Sequence, residues 1–189
     1  MYNFPFELDD FQKEACECIS NKKSVVVCAP TGAGKTTIIN LLMRFYDVTE
    51  GQILIDGTDI REIPLTDLRE RFGVVFQNDV VFADTLRENI AFGRELSDDG
   101  ISMAAEHALA AGFIGGKEDG YLHKAAIKGA DLSGGQRQRL LVARALAGTP
   151  EVLLLDDASS ALDYRTDAEI RKNVRENYGE TTTILVAQR

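Results

Sequence analysis

The sequence is poor in the residues that stabilise disulfide-rich or metal-rich domains. It contains no tryptophan, two histidines and only three cysteines, Cys16, Cys18 and Cys28. Three cysteines placed so closely do not form a disulfide framework, and no cluster of cysteine and histidine completes a metal site around them. We therefore expect the cysteines to be reduced, partly buried small residues.

Long apolar runs are missing as well. No apolar stretch approaches the roughly 18 residues that a membrane-spanning helix needs. The first residues, Met-Tyr-Asn-Phe-Pro, lack the basic region and the apolar core of a signal peptide. We expect a soluble, cytoplasmic chain without a membrane span.

An excess of basic residues is the third absence. The chain has 30 acidic and 21 basic side chains, for a net charge of −9. Nonspecific binding to nucleic acid needs a basic surface that displaces counterions, so we expect no nucleic-acid partner. A length of 189 residues with 44% hydrophobic content suits one globular domain.

A glycine-rich loop stands between a predicted strand and a predicted helix. Residues 24–29 form a short β-branched apolar run, and residues 35–46 carry apolar residues at helical spacing. Gly32 and Gly34 let the backbone curl so that N–H groups point inward, and the following helix adds its positive end. This arrangement predicts a phosphate site.

Two side chains of this loop have defined tasks in nucleotide binding. Lys35 would reach the β- and γ-phosphates, and the Thr36 hydroxyl is placed to bind Mg²⁺. The full pattern has Gly at position 29, where this chain has Ala. The predicted nucleotide-binding residues are Pro30, Thr31, Gly32, Ala33, Gly34, Lys35, Thr36 and Thr37.

Further polar residues follow two predicted strands. Gln77 ends the strand at residues 72–76, and Asp156 and Asp157 close the apolar run at residues 151–155. In α/β sheets, ligands bind at the carboxyl ends of the strands. We expect Asp156 to hold Mg²⁺ through water and Asp157 to lie near the attacking water.

A second anion site is predicted at Ser133-Gly-Gly-Gln136. Ser133 is a good N-cap, and Gly134 and Gly135 expose the N–H groups of the helix that follows. Two phosphate sites for one nucleotide favour a head-to-tail dimer, in which each subunit's Ser133–Gln136 faces the other's loop. An ordinary Ser-capped helix is the alternative.

Several motifs together resemble the nucleotide-binding domain of an ABC transporter. They are LSGGQRQR at 132–139, VLLLDD at 152–157, SALD at 160–163 and VVFQ at 74–77. The resemblance runs from about residue 36 to residue 189, and segments such as LRENIAFG at 86–93 are typical of exporters. It implies that Gln77 lies near Mg²⁺, that Ser133–Gln136 contact a partner's γ-phosphate, and that Asp163 lies at the dimer interface.

Two departures from this family bear on hydrolysis. The family's general base is usually Glu where this chain has Asp157, and its switch residue is usually His where this chain has Gln188. A shorter carboxylate holds water less well, and positioning is most of the catalysis in phosphoryl transfer. Both changes resemble the degenerate subunit of a heterodimeric exporter, so we expect slow hydrolysis or none.

The segment before the loop has a different resemblance. Residues 6–15 together with Ala-Pro-Thr-Gly at 29–32 resemble a superfamily-two helicase, which implies that Gln12 reads the adenine edge and that Phe4 or Phe6 packs on its ring. The remaining helicase motifs are missing, so unwinding is not expected. The plainer alternative is an amphipathic helix with Phe11 and Ile19 on its apolar stripe.

We expect an engineered chimera with an α/β fold of the P-loop NTPase (RecA-like) kind. A mostly parallel sheet is flanked by helices and carries an ABC-type α-helical insertion. Residues 1–36 are expected to be helicase-like, 37–77 and 148–189 to form the core, and 78–147 to form the insertion. The expected ligands are ATP or ADP and Mg²⁺, with a transmembrane domain and a second ATPase subunit as partners of the parent protein.

Four functional alternatives are compatible with the sequence. The chain is a slow Mg²⁺-dependent ATPase, a nucleotide-binding module without turnover, or a scaffold that folds without nucleotide. A helicase-like ATPase stimulated by nucleic acid is the least favoured alternative.

Overall fold

The core of the protein is a four-stranded parallel sheet. The computed structural model describes residues 25–28, 35–48 and 51–187. The strands in chain order are β1 (Val25–Cys28), β2 (Leu54–Ile55), β3 (Thr58–Asp59), β4 (Phe72–Val75), β5 (Val152–Asp156) and β6 (Thr182–Ala187). The central sheet has the order β1-β6-β5-β4, and β2 and β3 form a separate antiparallel hairpin.

Seven α-helices surround the sheet in the part of the chain described. They are α1 (Lys35–Leu42), α2 (Leu65–Glu70), α3 (Leu86–Ala91), α4 (Asp98–His107), α5 (Ala111–Gly115), α6 (Gly134–Leu146) and α7 (Tyr164–Asn177). Two short 3₁₀ turns, Gly120–Leu122 and Ile127–Gly129, lie between α5 and α6.

Both faces of the sheet are buried, which explains why β5 has no polar residue before its end. Side chains of a strand alternate between faces. Leu154 and Ile184 pack with apolar residues of α1, α2 and the hairpin on one face. Leu153 and Leu185 pack with α6 and α7 on the other. A sheet covered on both faces is the usual setting for parallel strands.

The helical insertion packs on the long helix α6. Helices α3 and α4 both contact α6, which in turn contacts β4. Thr85, Ser97 and Ser133 cap α3, α4 and α6 by accepting a backbone N–H in the first turn. The caps set where each helix begins and thereby how the insertion folds onto α6.

Most elements expected from the periodicity are present, and the expected fold class is confirmed. The helix after the loop ends at Leu42 instead of residue 46, because Arg44 takes a left-handed backbone conformation with φ 51°. Helix α4 begins at Asp98, directly after its cap Ser97. Helix α5 and the 3₁₀ turns were not predicted. The bounds expected for the helicase-like segment, the core and the helical insertion remain predictions.

Within the described residues, none of the helices combines the length and the apolar character that crossing a membrane requires.

Gly73 in β4 marks the closest approach of α6 to the sheet. A Cβ atom built there would lie well inside van der Waals contact of the Ala145 carbonyl oxygen and 2.9 Å from Pro150 Cγ. Both neighbours are held by the backbone or by a ring, so neither side can yield easily. The helix rests directly on the strand.

Replacing Gly73 by Ala should therefore destabilise the protein by about 3 kcal/mol, at the upper end of what overpacking costs. Urea unfolding followed by circular dichroism measures this loss. Gly112→Ala is the matched control, because nothing lies within 4 Å of its added Cβ, and it should be neutral or slightly stabilising. Equal stability of the two variants would contradict the tight contact.

Candidate nucleotide-binding site

The carboxyl ends of the parallel strands meet at one edge of the sheet. Cys28 at the end of β1 pairs with Ala187, and Asp156 at the end of β5 pairs with Val186. Val75 pairs with Leu155, so Gln77 and Asp157 each follow a paired residue by two positions. Neighbouring strands lie about 4.8 Å apart, so residues that follow these strand ends are neighbours.

The predicted phosphate loop connects two elements at this edge. It follows β1 and leads into α1, whose first residue is Lys35. Thr36 also lies in the first turn, which carries no acidic residue that would oppose an anion. The N-terminal end of α1 is therefore a suitable place for phosphate. Thr37 is half-buried in the same turn.

Several predicted residues lie outside the described part of the chain. They are Phe4, Phe6, Gln12, Pro30, Thr31, Gly32, Ala33, Gly34 and Gln188. Their roles stay predictions.

The two carboxylates differ in burial and in backbone conformation. Asp156 is 4% exposed and ends β5. Asp157 is half-buried, has a left-handed backbone with φ 54°, and donates its N–H to the Val186 carbonyl at 2.9 Å. Asp tolerates the left-handed region better than most residues. The turn thus ties the end of β5 to β6 and holds Asp157 at the edge.

Gln77 is exposed in the turn that follows β4. It lines a pocket of about 250 Å³ together with residues at the start of α6, including Gly134 and Gln138, and with Ala161. Gln77 therefore lies beside both the strand edge and the start of α6. A side-chain amide at this place can contact a ligand at the edge and can also contact the start of α6.

Ser133 to Gln136 form a complete capping box. Ser133 Oγ accepts the Gln136 N–H at 3.3 Å, and Gln136 Oε1 accepts the Ser133 N–H at 2.9 Å. The Ser133 hydroxyl proton and the Gln136 Nε2 group remain available as donors beside the first-turn N–H groups. Ser133 is exposed. The turn can therefore receive an anion from outside the chain without losing its cap.

The SALD turn packs directly on this helix start. A Cβ atom on Gly134 would lie 3.6 Å from Ala161 Cβ, and one on Gly135 would lie 3.5 Å from the Ala161 carbonyl. Asp163, expected at a dimer interface, caps α7 by accepting the N–H groups of Arg165 and Thr166. The hydrogen bonds from Thr166 hold the pKa of Asp163 below its usual value. Asp163 is thus already engaged within its own chain.

A cluster around Asp131 anchors the segment before Ser133. Asp131 Oδ1 accepts the Ala126 N–H at 2.8 Å, Oδ2 lies 2.9 Å from His123 Nε2, and Lys117 Nζ is 3.6 Å away. The His123 hydrogen bond above all lowers the pKa of Asp131 to about 2. The sequence gives no sign of this cluster, because the spacing of its residues forms no recognisable motif.

Arg144 lies near the candidate site and was not predicted from the sequence. It is 4% exposed and donates to the Asn89 carbonyl at 2.8 Å and to the Val80 carbonyl at 3.0 Å. Its guanidinium also lies over the rings of Phe82, at 5.3 Å, and Phe92, at 4.7 Å. Arg144 therefore joins α6 and α3 to the loop that follows Gln77. A charged residue inside the apolar run of α6 was the available signal.

The fold and the strand-edge site define a P-loop NTPase, and the comparisons with known proteins name its family. The model of the family described as "ABC transporter" matches residues 15–160. The chain belongs to this family.

Curated relatives place the chain among exporters. It is 45% identical over 166 residues to an "ATM1-type heavy metal exporter" of Novosphingobium aromaticivorans, covering 87% of this chain and 27% of the relative. It is 44% identical over 168 residues to the "Beta-(1-->2)glucan export ATP-binding/permease protein NdvA" of Agrobacterium fabrum, covering 88% and 29%. "ABC transporter B family member 14" of Arabidopsis thaliana is 43% identical over 172 residues, covering 90% and 14%.

A solved structure agrees with this placement. "Structure of a bacterial Atm1-family ABC exporter with ATP bound" superposes with a TM-score of 0.82 at 44% identity, covering 88% of this chain and 30% of that chain. The chain thus corresponds to an ATPase-type domain of an exporter of the Atm1 and B-family type. It spans about 14 to 29% of the length of the curated relatives named above.

The expectation of a helicase-derived segment in a chimera receives no support. The family model begins at residue 15, inside the segment of 1–36 that was expected to be helicase-like. The strand, glycine-rich loop and helix are common to P-loop proteins, so this pattern could not tell the two families apart. The ABC part of the expectation is confirmed.

Asp131→Asn should lower stability at neutral pH by about 1 kcal/mol, because the partly exposed carboxylate is screened by solvent. The folded-state pKa lies below the ordinary value, so the stabilisation is full above about pH 4 and is lost as the pH falls through about 2. Urea unfolding at several pH values measures this. The wild-type and variant curves should converge at low pH.

Asp119→Asn is the control, since its carboxylate lies in the same insertion but does not cap the 3₁₀ turn that follows. It should keep the wild-type pH dependence. A parallel offset between wild type and Asp131→Asn at every pH would show that the carboxylate's charge contributes nothing.

Proposed function

We propose that the chain binds Mg²⁺-ATP as an ATPase domain of an exporter. The observation that carries the proposal is the convergence of four parallel strand ends beside the N-terminal end of α1. Residues Pro30 to Thr37 bind the phosphates, with Lys35 at the β- and γ-phosphates. The ATP-bound state of the related exporter structure supports this choice of ligand.

Three oxygen donors predicted for this edge would suit a magnesium ion. They are the Thr36 hydroxyl, the Gln77 side-chain carbonyl and, through water, the Asp156 carboxylate. Oxygen ligands with few protein contacts are what Mg²⁺ prefers beside nucleotide phosphates. When bound, the ion supplies charge neutralisation for the phosphates. The support for Asp156 is its position at the end of the buried strand β5, at the edge where ligands bind in α/β sheets.

Hydrolysis is proposed to be slow. Asp157 positions the attacking water, yet its carboxylate is one methylene shorter than the Glu usual in the family, and its left-handed backbone sets where it points. Gln188 takes the place of the switch His and carries no cationic charge. A nucleotide-binding module without turnover is the second candidate, which the same two residues support, and a scaffold that folds without nucleotide is the third. Nothing in the described residues favours a helicase-like ATPase.

A second copy, or a second ATPase subunit, is proposed to complete the site. Its Ser133 to Gln136 would donate to the γ-phosphate held by the first chain. The exposed Ser133 and the unused donors of the capping box support this head-to-tail arrangement.

We also propose contacts to the adenine base. Gln12 would read the adenine edge, and Phe4 or Phe6 would pack on the ring. The support is the sequence pattern before the loop alone, since these residues lie outside the described part of the chain.

A membrane partner is proposed for the surface around Phe82 and Phe92. Their rings are 48% and 54% exposed, lie 5.6 Å apart and are backed by the buried Arg144. Exposed apolar clusters mark interaction sites. We infer that a transmembrane domain of the parent protein rests here, which would place this domain at the cytoplasmic face of the membrane.

Lys35→Ala tests the phosphate site. It should reduce binding of Mg²⁺-ATP and of inorganic triphosphate alike by 10-fold or more, on the order of the 1.5–3 kcal/mol that a hydrogen bond to a charged group contributes. Isothermal titration calorimetry measures both ligands. Unchanged ATP affinity would overturn the proposed site.

Gln12→Ala is the paired variant for the adenine end of the same nucleotide. If Gln12 reads adenine, the affinity for ATP falls while the affinity for triphosphate persists. Equal loss for both ligands, or for neither, would remove Gln12 from the site.

The double variant Asp157→Glu with Gln188→His tests slow hydrolysis. A longer carboxylate and an imidazole should raise ATP turnover by roughly 10–100-fold, up to the lower end of the roughly 100–10,000-fold that general acid–base groups supply. Phosphate release at several protein concentrations measures it, and turnover per subunit should rise with concentration because two chains form each site.

Asp157→Asn with Gln188→His is the matched control and should stay slow. An unchanged rate for the Glu-containing variant would count against the degenerate-site interpretation. Turnover independent of concentration would count against the head-to-tail dimer.

Phe82→Ser with Phe92→Ser tests the membrane-partner surface. Co-purification with the separately expressed membrane domain of the Novosphingobium relative measures the contact. The double variant should lose most of the bound partner and keep ATP affinity. Met103→Ser, at a similarly exposed residue on α4, is the control, and equal retention by both variants would contradict the assignment.

A further inference from the structure

Two arginines of the helical insertion differ in what they hold together. Arg94 donates to the Ala147 carbonyl at 2.6 Å and to the Arg144 carbonyl at 2.7 Å, so it joins α6 to the end of α3. The Arg144 side chain turns the other way. Its Nη1 group donates to Asp79 Oδ1 at 3.2 Å and to the Val80 carbonyl at 3.0 Å. Of the two, Arg144 is therefore the one that holds the loop between β4 and α3.

A single turn separates these contacts from Gln77. The Asp79 N–H donates to the Phe76 carbonyl at 3.2 Å, which closes a turn with Gln77 inside it. Asp79 Oδ1 also accepts the Val80 N–H at 2.7 Å. The carboxylate that pairs with Arg144 thus fixes the end of the turn that carries Gln77.

Asn89 anchors the far part of the same loop. It is buried in α3, where Oδ1 accepts the Phe82 N–H at 2.8 Å and Nδ2 donates to the Phe82 carbonyl at 3.0 Å. Arg144 Nη2 donates to the same Oδ1 at 3.1 Å, and Arg144 Nε donates to the Asn89 carbonyl at 2.8 Å. Both anchors of the loop therefore meet at one guanidinium.

Burial makes this arrangement specific to arginine. Burial lowers the pKa of the Arg144 guanidinium, and the neighbouring Asp79 carboxylate opposes that shift. A charge so deeply buried needs an ion pair and hydrogen bonds. Lysine would keep the charge, but its ammonium is a single point and does not reach Asp79 and Asn89 together as the planar guanidinium does.

The Gln77 side chain has no such anchor of its own. Within residues 25–28, 35–48 and 51–187 it makes no hydrogen bond, and it borders the pocket of about 250 Å³ beside the start of α6. Its direction therefore depends on the backbone of the turn, which Arg144 holds through Asp79.

We propose that Arg144 is a positioning residue, which holds the Gln77 amide at the strand edge for the metal ion of the nucleotide. Arg144 acts only through the loop between β4 and α3. This inference rests on the proposed function, in which the Gln77 side-chain carbonyl binds Mg²⁺.

The effect of Mg²⁺ on ATP affinity tests this role. The Mg²⁺ gain is the ratio of the ATP dissociation constants in EDTA and in excess Mg²⁺, both measured by isothermal titration calorimetry. Gln77→Ala should lower the gain by removing the ligand. Arg144→Lys should lower it by about 10-fold, the lower end of what partners of metal ligands contribute, and should leave the affinity in EDTA unchanged. A folded variant that had only lost stability would keep the ratio.

Three further variants separate positioning from a general loss of packing. Arg94→Lys is the matched control, because it breaks a similar fork in the same insertion, and it should keep the full gain. Asp79→Asn removes the charge of the pair but keeps an acceptor for Val80, and it should lower the gain several-fold. Arg144→Lys combined with Gln77→Ala should have the same gain as Gln77→Ala alone.

Hydrogen exchange followed by mass spectrometry tests the loop without nucleotide. Residues 77–85 should exchange several-fold faster in Arg144→Lys than in Arg94→Lys, because the turn and the Phe82 amide open more often. Exchange in β5 should be equal in the two variants, which verifies that both are folded.

Equal exchange of residues 77–85 in the two lysine variants would overturn the inference whatever the nucleotide data show. A full Mg²⁺ gain in Arg144→Lys, beside a lost gain in Gln77→Ala, would also overturn it and would leave the proposed function intact. A full gain in Gln77→Ala would remove Gln77 from the metal, and that part of the proposed function would fall together with this inference.

Discussion

The in-register parallel pairing of β1, β6, β5 and β4 is the constraint on which the rest of the structure depends. Because all four strands run the same way, the residues that follow them collect at one edge. Asp157 strengthens this arrangement by donating its N–H across to Val186. A shift of one residue in any strand would exchange its two buried faces and displace a carboxylate or an amide from the edge.

A second set of contacts links this edge to the helical insertion. Arg144 of α6 donates to the loop after Gln77 and to Asn89 of α3. Ala161 of the SALD turn packs on the glycines that open α6. These contacts link α6, which begins after Ser133, to the loop of Gln77 and to the turn after Asp157.

Local features of this fold were predictable from the sequence, and non-local ones were not. Local elements depend on near neighbours in the chain, so short stretches of sequence predict them. They are the strands, the Ser133 cap and the carboxylates at the end of β5. The strand order, the contact of Gly73 with Ala145, and the partners of Arg144 and Asp131 join residues that are far apart or unpatterned. The helicase interpretation rested partly on the loop motif at Gly32 to Thr36. Because many P-loop proteins share this motif, it could not distinguish the two families. The roles of Gln12 and Gln188 remain predictions.

We propose that one sheet edge and the N-terminal end of α1 form a single Mg²⁺-nucleotide site. A crystal structure of the chain with Mg²⁺ and a non-hydrolysable ATP analogue tests it most directly. We expect phosphates at the start of α1, a metal ion at about 2.1 Å from the Thr36 hydroxyl oxygen, and Asp156 joined to that ion through water. A nucleotide bound away from this edge, or a metal ion without contact to Thr36 and Asp156, would contradict it.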